Sequence, residues 1–323
     1  MAADLSDHER AVARYFDDET RGFYVRGWNP DHIHFGLFER GECPKPGEIL
    51  SESIGLARAV ERMVDVIVAP AGIRANHIVV DAGCGIGGTA IQLARKHGCT
   101  VCGINVSLVQ LRLAEKKARV AGLGDRISFA YADCSQCLPF ADNSTDVVVN
   151  IESACHYSDR SRFLQEVRRI LKPGGRIVAS DWMMRDGLQP GQRQKYMEPL
   201  CAAWTIRSLE SRSTYAKLLR EAGLTVVEAD GFRGKDTDNI RILEDSYQQV
   251  VALWFRGAKT HSSHSSRVVM ERFRTLSVAW RDGYFELGRY YAEKTDGHPS
   301  EIPHGVFSSS GPRRRARRSA SGS

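Results

Sequence analysis

Apolar positions recur at helical spacing in two N-terminal stretches. Within residues 8–26 they fall at Val12, Tyr15, Phe16 and Phe23, and within 49–68 at Ile54, Leu56, Ala57, Val60, Met63, Val64 and Ile67. Each pattern predicts an amphipathic helix. Trp28-Asn29-Pro30 between them predicts a loop, because the residue before a proline is driven out of helical geometry. The pattern changes at His77. HIVVDAGCG is a short apolar run stopped by glycines, which predicts a buried strand. GTAIQLARKHG then predicts a helix, TVCGIN a strand, LVQLRLAEKKARVAGL a helix, ISFAYAD and TDVVVNIES strands, RSRFLQEVRRILKPGG a helix stopped by Pro and Gly, and RIVASDW a strand. Such alternation predicts βαβ units and a parallel sheet beginning near Ile78.

The stretch from Asp186 to Arg212 interrupts the alternation with an amphipathic helical pattern carrying Met197, Leu200, Trp204 and Ile206. It predicts a lid over the sheet. Residues 213–222 predict a helix, Leu224–Ala229 a strand, 238–257 and 267–281 helices, and YFELGRYYAEK a last strand. The expected fold is α/β and Rossmann-like, a mostly parallel seven-stranded sheet with helices on both faces and a helical lid. The expected division is a helical cap over 1–70, a main domain over 71–296 with lid insertions at 183–212 and 233–281, and a tail over 297–323.

Composition narrows the class. A chain of 323 residues, 42% hydrophobic, can bury a large core. No run of about 18 uncharged apolar residues predicts a membrane span, and Met1–Arg10 lacks a signal pattern, so a cytoplasmic location is expected. The net charge is +6, of which five arginines against Glu301 place +4 in the Ser/Gly/Pro-rich tail. The remaining body is near neutral, which argues against nucleic acid as the main partner and leaves a small molecule. The tail itself is expected to be disordered. Two CxxC pairs, Cys99/Cys102 and Cys134/Cys137, invite a zinc reading. The first lies on a predicted strand, where residues three apart face opposite sides, so no metal is expected.

The most informative segment is Val80-Asp81-Ala82-Gly83-Cys84-Gly85-Ile86-Gly87-Gly88. It joins a strand to a helix, where glycines let the backbone approach a ligand. A dinucleotide fingerprint would place its third glycine three residues after the second; here the acid Asp81 precedes a D-x-G-x-G-x-G form. That form resembles the first motif of class I methyltransferases. Further matches follow in order: Gly103-Ile104-Asn105-Val106-Ser107 with Gln110, Ala132-Asp133-Cys134, Leu138-Pro139-Phe140 before Asp146-Val147-Val148, and Leu171-Lys172-Pro173-Gly174-Gly175. The G-I-x-x-S-x-x-Q form resembles the branch with the tocopherol, cyclopropane-fatty-acid and glycine-betaine-forming enzymes. The resemblance implies S-adenosylmethionine as cofactor, held by Asp81, Gly83, Cys84, Gly85, Gly87, Asn105, Gln110, Asp133, Cys134 and Asn150. Asn105 stands where many members have an acid for the ribose hydroxyls, with Gln110 sharing that contact. Asp133 would accept from the adenine amino group; a turn or helix-cap role is its structural alternative.

Two segments bear on the methyl acceptor. Phe23 to Glu39, with Trp28, Asp31 and Ile33-His34-Phe35-Gly36, resembles the N-terminal segment of sarcosine/dimethylglycine methyltransferases, which folds over the reacting centre. Asn29-Pro30 replaces the usual Gly pair there, and His32 is an extra residue. Asn150-Ile151-Glu152-Ser153-Ala154-Cys155-His156-Tyr157 closes the fourth strand and departs from the Gln-Asp pair of the sarcosine type. His156 is a candidate base because its ordinary pKa lies near neutrality. Glu152 could position an amine, stabilise an allylic cation or bind hydroxyls. Tyr24 and His34 complete the candidate catalytic group. An amine nitrogen is the first expectation for the acceptor; the alternative is carbon or oxygen on a prenyl or phenolic natural-product precursor. Arg207 and Arg212 could hold a substrate carboxylate or form a solvated face.

Overall fold

The computed structural model describes residues 5–20, 24, 27–45, 48–232 and 263–295, with side chains of the last stretch from Glu271 onward. The helix expected over 238–257 and the tail over 297–323 lie outside the described residues. Seven strands form one sheet: β1 (Ile78–Ala82), β2 (Thr100–Asn105), β3 (Ile127–Tyr131), β4 (Thr145–Ile151), β5 (Leu171–Met184), β6 (Thr225–Gly231) and β7 (Phe285–Glu293). Their order is β3-β2-β1-β4-β5-β7-β6. The first five pair in parallel, while β7 runs antiparallel to both β5 and β6. The chain reverses its direction of travel across the sheet between β1 and β4, and a crevice opens at the carboxyl ends of the strands at such a point.

Helices α1 (Asp7–Glu19), α2 (Ile54–Val68), α3 (Gly88–His97), α4 (Leu108–Val120) and α5 (Arg160–Ile170) precede β5; α6 (Pro190–Gln192), α7 (Glu198–Ala203), α8 (Arg212–Glu221) and α9 (Ser263–Arg281) follow it. Several starts are set by side chains that accept an exposed backbone N–H: Ser53 for α2, Ser107 for α4 and Asp159 for α5. Neighbouring strand residues feed opposite cores. Val79, Val101 and Val147 pack with Leu56, Val60 and Met63 of α2 and with the lid aromatics. Val80, Ile104 and Val148 pack with Phe163 and Val167 of α5 and Leu219 of α8.

Three expected boundaries shift. The first α-helix ends at Glu19, and Thr20, Tyr24, Gly27 and Trp28 carry a wider π winding. The second begins with a 3-10 turn at Leu50–Glu52 before α2. In the lid, Met183 and Met184 belong to β5, because β7 pairs with that strand as far as Met184↔Phe285. Within the 183–212 insertion the helical part spans Pro190–Ala203, with a π turn at Arg193–Met197 between α6 and α7.

Candidate functional site

The carboxyl ends of β1 to β4 open into a cleft of about 880 Å³, counting its mouth, roofed by α1 and by residues 31–34. Gly83 and Gly85 line it. Gly83 has φ +80°, and a Cβ there would lie 1.7 Å from Ser153 Oγ, so this turn accepts no side chain. Gly87, expected among the ligand contacts, does not line the cleft. It starts α3 with φ +83°, and its missing Cβ makes room for Ala114 of α4.

Asp81 sits at the end of β1 and is 2% exposed. One carboxylate oxygen takes the Ala90 amide; Oδ2 has no partner among the described residues. Burial pushes its pKa up to about 7. A buried carboxyl with an orphaned oxygen favours a cationic or hydrogen-bond-donating ligand.

Asn105 is committed more fully than its sequence position suggests. It donates to Gln110 Oε1 (2.7 Å) and Gly85 O (3.3 Å), and it accepts from the amides of Val106 (2.8 Å) and Ser107 (3.3 Å). Those bonds use both of its N–H groups. Gln110 donates to Thr20 Oγ1 at 2.8 Å, which leaves one N–H for a ligand hydroxyl. Asp133 accepts from Ser135 N (2.7 Å) and Gln136 Nε2 (3.0 Å), forming a turn. It also lines the cleft, and each oxygen retains a lone pair, so the turn and ligand roles coexist. Burial raises the Asp133 pKa. Cys84 and Cys134 line the same wall as thiols, that of Cys134 pushed up to about 12 by burial. Asn150 departs from its expected role. It is fully buried, does not line the cleft, and ties β4 to β1 by donating to Ala82 O (2.7 Å) and Tyr157 Oη (3.1 Å).

A second chamber of about 510 Å³ adjoins the first, lined by Tyr24, Trp28, Ile33, His34, Phe35, Glu152, His156, Trp182, Trp204 and Phe273. Ile33, His34, Glu152 and His156 line both. Glu152 holds φ +48°, a costly conformation for this residue type that is concentrated at functional sites. Its Oε1 accepts from Phe35 N (2.9 Å) and its Oε2 from Trp182 Nε1 (2.7 Å). Glu152 thereby pins the N-terminal segment to β5. Burial pushes its pKa up to about 8.

His156 lies in a 3-10 turn, Ala154–His156. Its Nδ1 is 3.3 Å from Thr205 O. A carbonyl only accepts, so Nδ1 carries the hydrogen and the lone pair of the neutral ring is on Nε2. Burial lowers its pKa to about 4, which keeps it neutral. His34 is different. Its Nδ1 donates to Phe35 O (2.8 Å), and its Nε2 lies 3.0 Å from His32 Nδ1. Both nitrogens are engaged, so His34 is not free to act as a base. Tyr24 Oη is 2.9 Å from Tyr15 Oη, and burial raises its pKa well above the usual phenol value. Arg212 is bound to Glu286 (2.8 Å) and Asp230 (3.1 Å), Arg207 is exposed, and neither lines a chamber.

Glu9 lines the first cleft although the sequence reading passed over it. It is 3% exposed, and its Oε1 accepts from Ser158 N (3.0 Å) and Ser135 Oγ (3.1 Å). The available signal was its helical register with Val12 and Phe16, which line the same cleft.

The model of the methyltransferase domain family matches residues 80–179. The chain is 38% identical over 219 residues to methyltransferase GfsG of Streptomyces halstedii, covering 68% of this chain and 74% of that one. It is 32% identical over 227 residues to the chloroplastic tocopherol O-methyltransferase of Arabidopsis thaliana, covering 67% and 63% respectively. A crystal structure assigned as a sarcosine dimethylglycine methyltransferase from Galdieria sulphuraria superposes with a TM-score of 0.75 at 23% identity, over 88% of this chain and 99% of that one.

Proposed function

This chain belongs to the S-adenosylmethionine-dependent methyltransferases, and we propose that its acceptor is a hydroxyl group on a bulky, largely apolar small molecule. The observation that carries this reading is the second chamber. Its wall is mostly aromatic; among the described residues its polar groups are Tyr24, His34, Glu152, His156 and the indole nitrogens, and no described arginine or lysine lines it. An amino-acid acceptor would bring a carboxylate with no cation among the described residues of the wall to meet it. Burial, which pushes the Glu152 pKa up to about 8, also weakens it as a counter-ion for a free amine.

The cleft residues fit the cofactor. Asp81 Oδ2 lacks a partner among the described residues, Gly83 cannot carry a side chain, and Gln110 and Asp133 keep hydrogen-bonding capacity in the cleft wall. S-adenosylmethionine supplies a methyl group on a positively charged sulfur, which leaves readily when a lone pair attacks in line. The protein's task is then positioning and exclusion of water. Asp81 would take the positive end of the cofactor, Gln110 a ribose hydroxyl and Asp133 the adenine amino group. Trp28, Trp182 and Trp204 would enclose the acceptor, and their ring faces suit a neighbouring sulfonium. His156 Nε2 would accept the hydroxyl hydrogen bond and then the proton.

Methyl-labelled S-adenosylmethionine tests the assignment with three acceptor pools: apolar alcohols and phenols, prenyl diphosphates, and sarcosine with dimethylglycine. Label on oxygen in the first pool is the expected result. Label on prenyl carbon would move the reaction to the carbon alternative, and label only in the amino-acid pool would overturn the apolar reading.

A further inference from the structure

His32, an extra residue in the N-terminal segment, ends a hydrogen-bond chain whose direction is fixed. The Phe35 carbonyl only accepts, so His34 Nδ1 carries a hydrogen and its Nε2 a lone pair. That lone pair faces His32 Nδ1 at 3.0 Å, so His32 Nδ1 must donate. The remaining lone pair is on His32 Nε2, which no described residue engages. Both rings are buried and held neutral by burial. The backbone fixes the ring as well. Asn29 Oδ1 accepts from the amides of Asp31 (2.9 Å) and His32 (2.8 Å), and a Cβ on Gly88 would lie 2.9 Å from His32 Cε1. The ring thus sits over the first turn of α3, in the wall of the cleft that also holds Asp31 and Asp81.

This is the β1 end of the cleft, away from Asp133 at the β3 end. Resting on the cofactor reading above, it is the end left for the amino-acid portion once the adenine is assigned to Asp133 and the ribose to Gln110. We propose that His32 Nε2 accepts a hydrogen bond from the α-ammonium group of the bound cofactor, making His32 a cofactor-binding residue. The His32–His34–Phe35 chain leaves the ring's remaining lone pair, rather than an N–H, on Nε2 of a residue that lines the cleft. A cation is the ligand that such an arrangement favours, with the Asp81 carboxyl in the same cleft wall; the Asp31 carboxylate is paired instead with Lys117 at 3.1 Å, which offsets the lysine's charge near His32.

The test compares two ligands of the full-length protein by calorimetry. S-adenosylhomocysteine carries the α-ammonium; 5′-methylthioadenosine has the nucleoside and sulfur but lacks the amino acid. His32→Leu is expected to weaken S-adenosylhomocysteine about tenfold or more and to leave 5′-methylthioadenosine within about twofold. His32→Gln, which restores an acceptor oxygen, should recover much of the loss. An unchanged affinity ratio in a variant with wild-type Tm overturns the proposal. So does an equal loss for both ligands, which would make His32 a packing residue only. If the wild-type protein binds neither ligand, the cofactor site itself is wrong and the proposal falls with it.

Discussion

At the scale of the residue, the two candidate bases separate by hydrogen-bond accounting. His156 has a lone pair at the junction of the two chambers, whereas His34 has none to offer. Substituting His156 by Ala should lower kcat by about 10²- to 10⁴-fold, with S-adenosylhomocysteine affinity within about threefold. A kcat unchanged at saturating acceptor would assign the ring to packing against Phe16, whose ring centroid is 5.0 Å away. His34→Gln should affect kcat less than His156→Ala does, and the reverse order would restore His34 as the base. Gly83 gives a stricter prediction. Because its φ is positive and the Cβ position collides with Ser153, Gly83→Val should abolish cofactor binding and lower Tm. Retained affinity would remove the glycine turn from the site. These bonding states were not legible in the sequence. His34 and His156 carry the same side chain, and only the folded backbone shows which nitrogen is already engaged.

At the scale of the element, the parallel half of the sheet was legible because each strand is a continuous apolar run ended by turn residues. Val79–Val80 and Val147–Val149 are buried on both faces and show it directly. The lid boundary was not, because Met183 and Met184 become strand through pairing with Glu286 and Phe285, about a hundred residues further along. Likewise α1 announced itself as an amphipathic helix, but its partners are distant. Asp17 Oδ1 accepts from Ser107 Oγ (2.5 Å), Thr20 Oγ1 from Gln110 Nε2 (2.8 Å), and Glu9 from Ser158 N (3.0 Å). All three bonds cross from α1, or from Thr20 just beyond it, to elements around the cleft, and if cofactor exchange passes beneath α1 they must open for it. Replacing Asp17 and Thr20 by Ala and Val should speed S-adenosylhomocysteine release several-fold, measured by stopped-flow. Release at the wild-type rate would mean that the exchange path lies elsewhere.

At the scale of the whole molecule, burial has shifted acids and histidines in opposite directions, and stability should record both. His34 and His156 fall to about 4, and His32 falls well below its ordinary value. The unfolded chain therefore binds more protons at these sites between about pH 4 and 6.5, and their effect is stability that rises with pH across that window. Asp81 rises to about 7 and Glu152 to about 8. The folded chain holds more protons at these two, so their effect is stability that falls as pH climbs from the ordinary carboxyl range to about 8. The two groups oppose each other up to about pH 7.5, where the unfolded histidines finish titrating; from about pH 7 the two acids outweigh them, joined toward pH 8.5 by the Cys84 and Cys134 thiols, which burial raises above their ordinary value. The ligand-free protein should therefore lose Tm between about pH 7 and 8.5. Glu152→Gln should shallow that decline by removing one of the two carboxyls. Saturating S-adenosylmethionine should shallow it too, since a bound cation favours both carboxylates; S-adenosylhomocysteine, which lacks the sulfonium, should do so less. A Tm that stays flat or rises over this interval would mean that water already solvates Asp81 and Glu152 in the ligand-free cleft, and that neither carboxyl is held in reserve for the cofactor's charge.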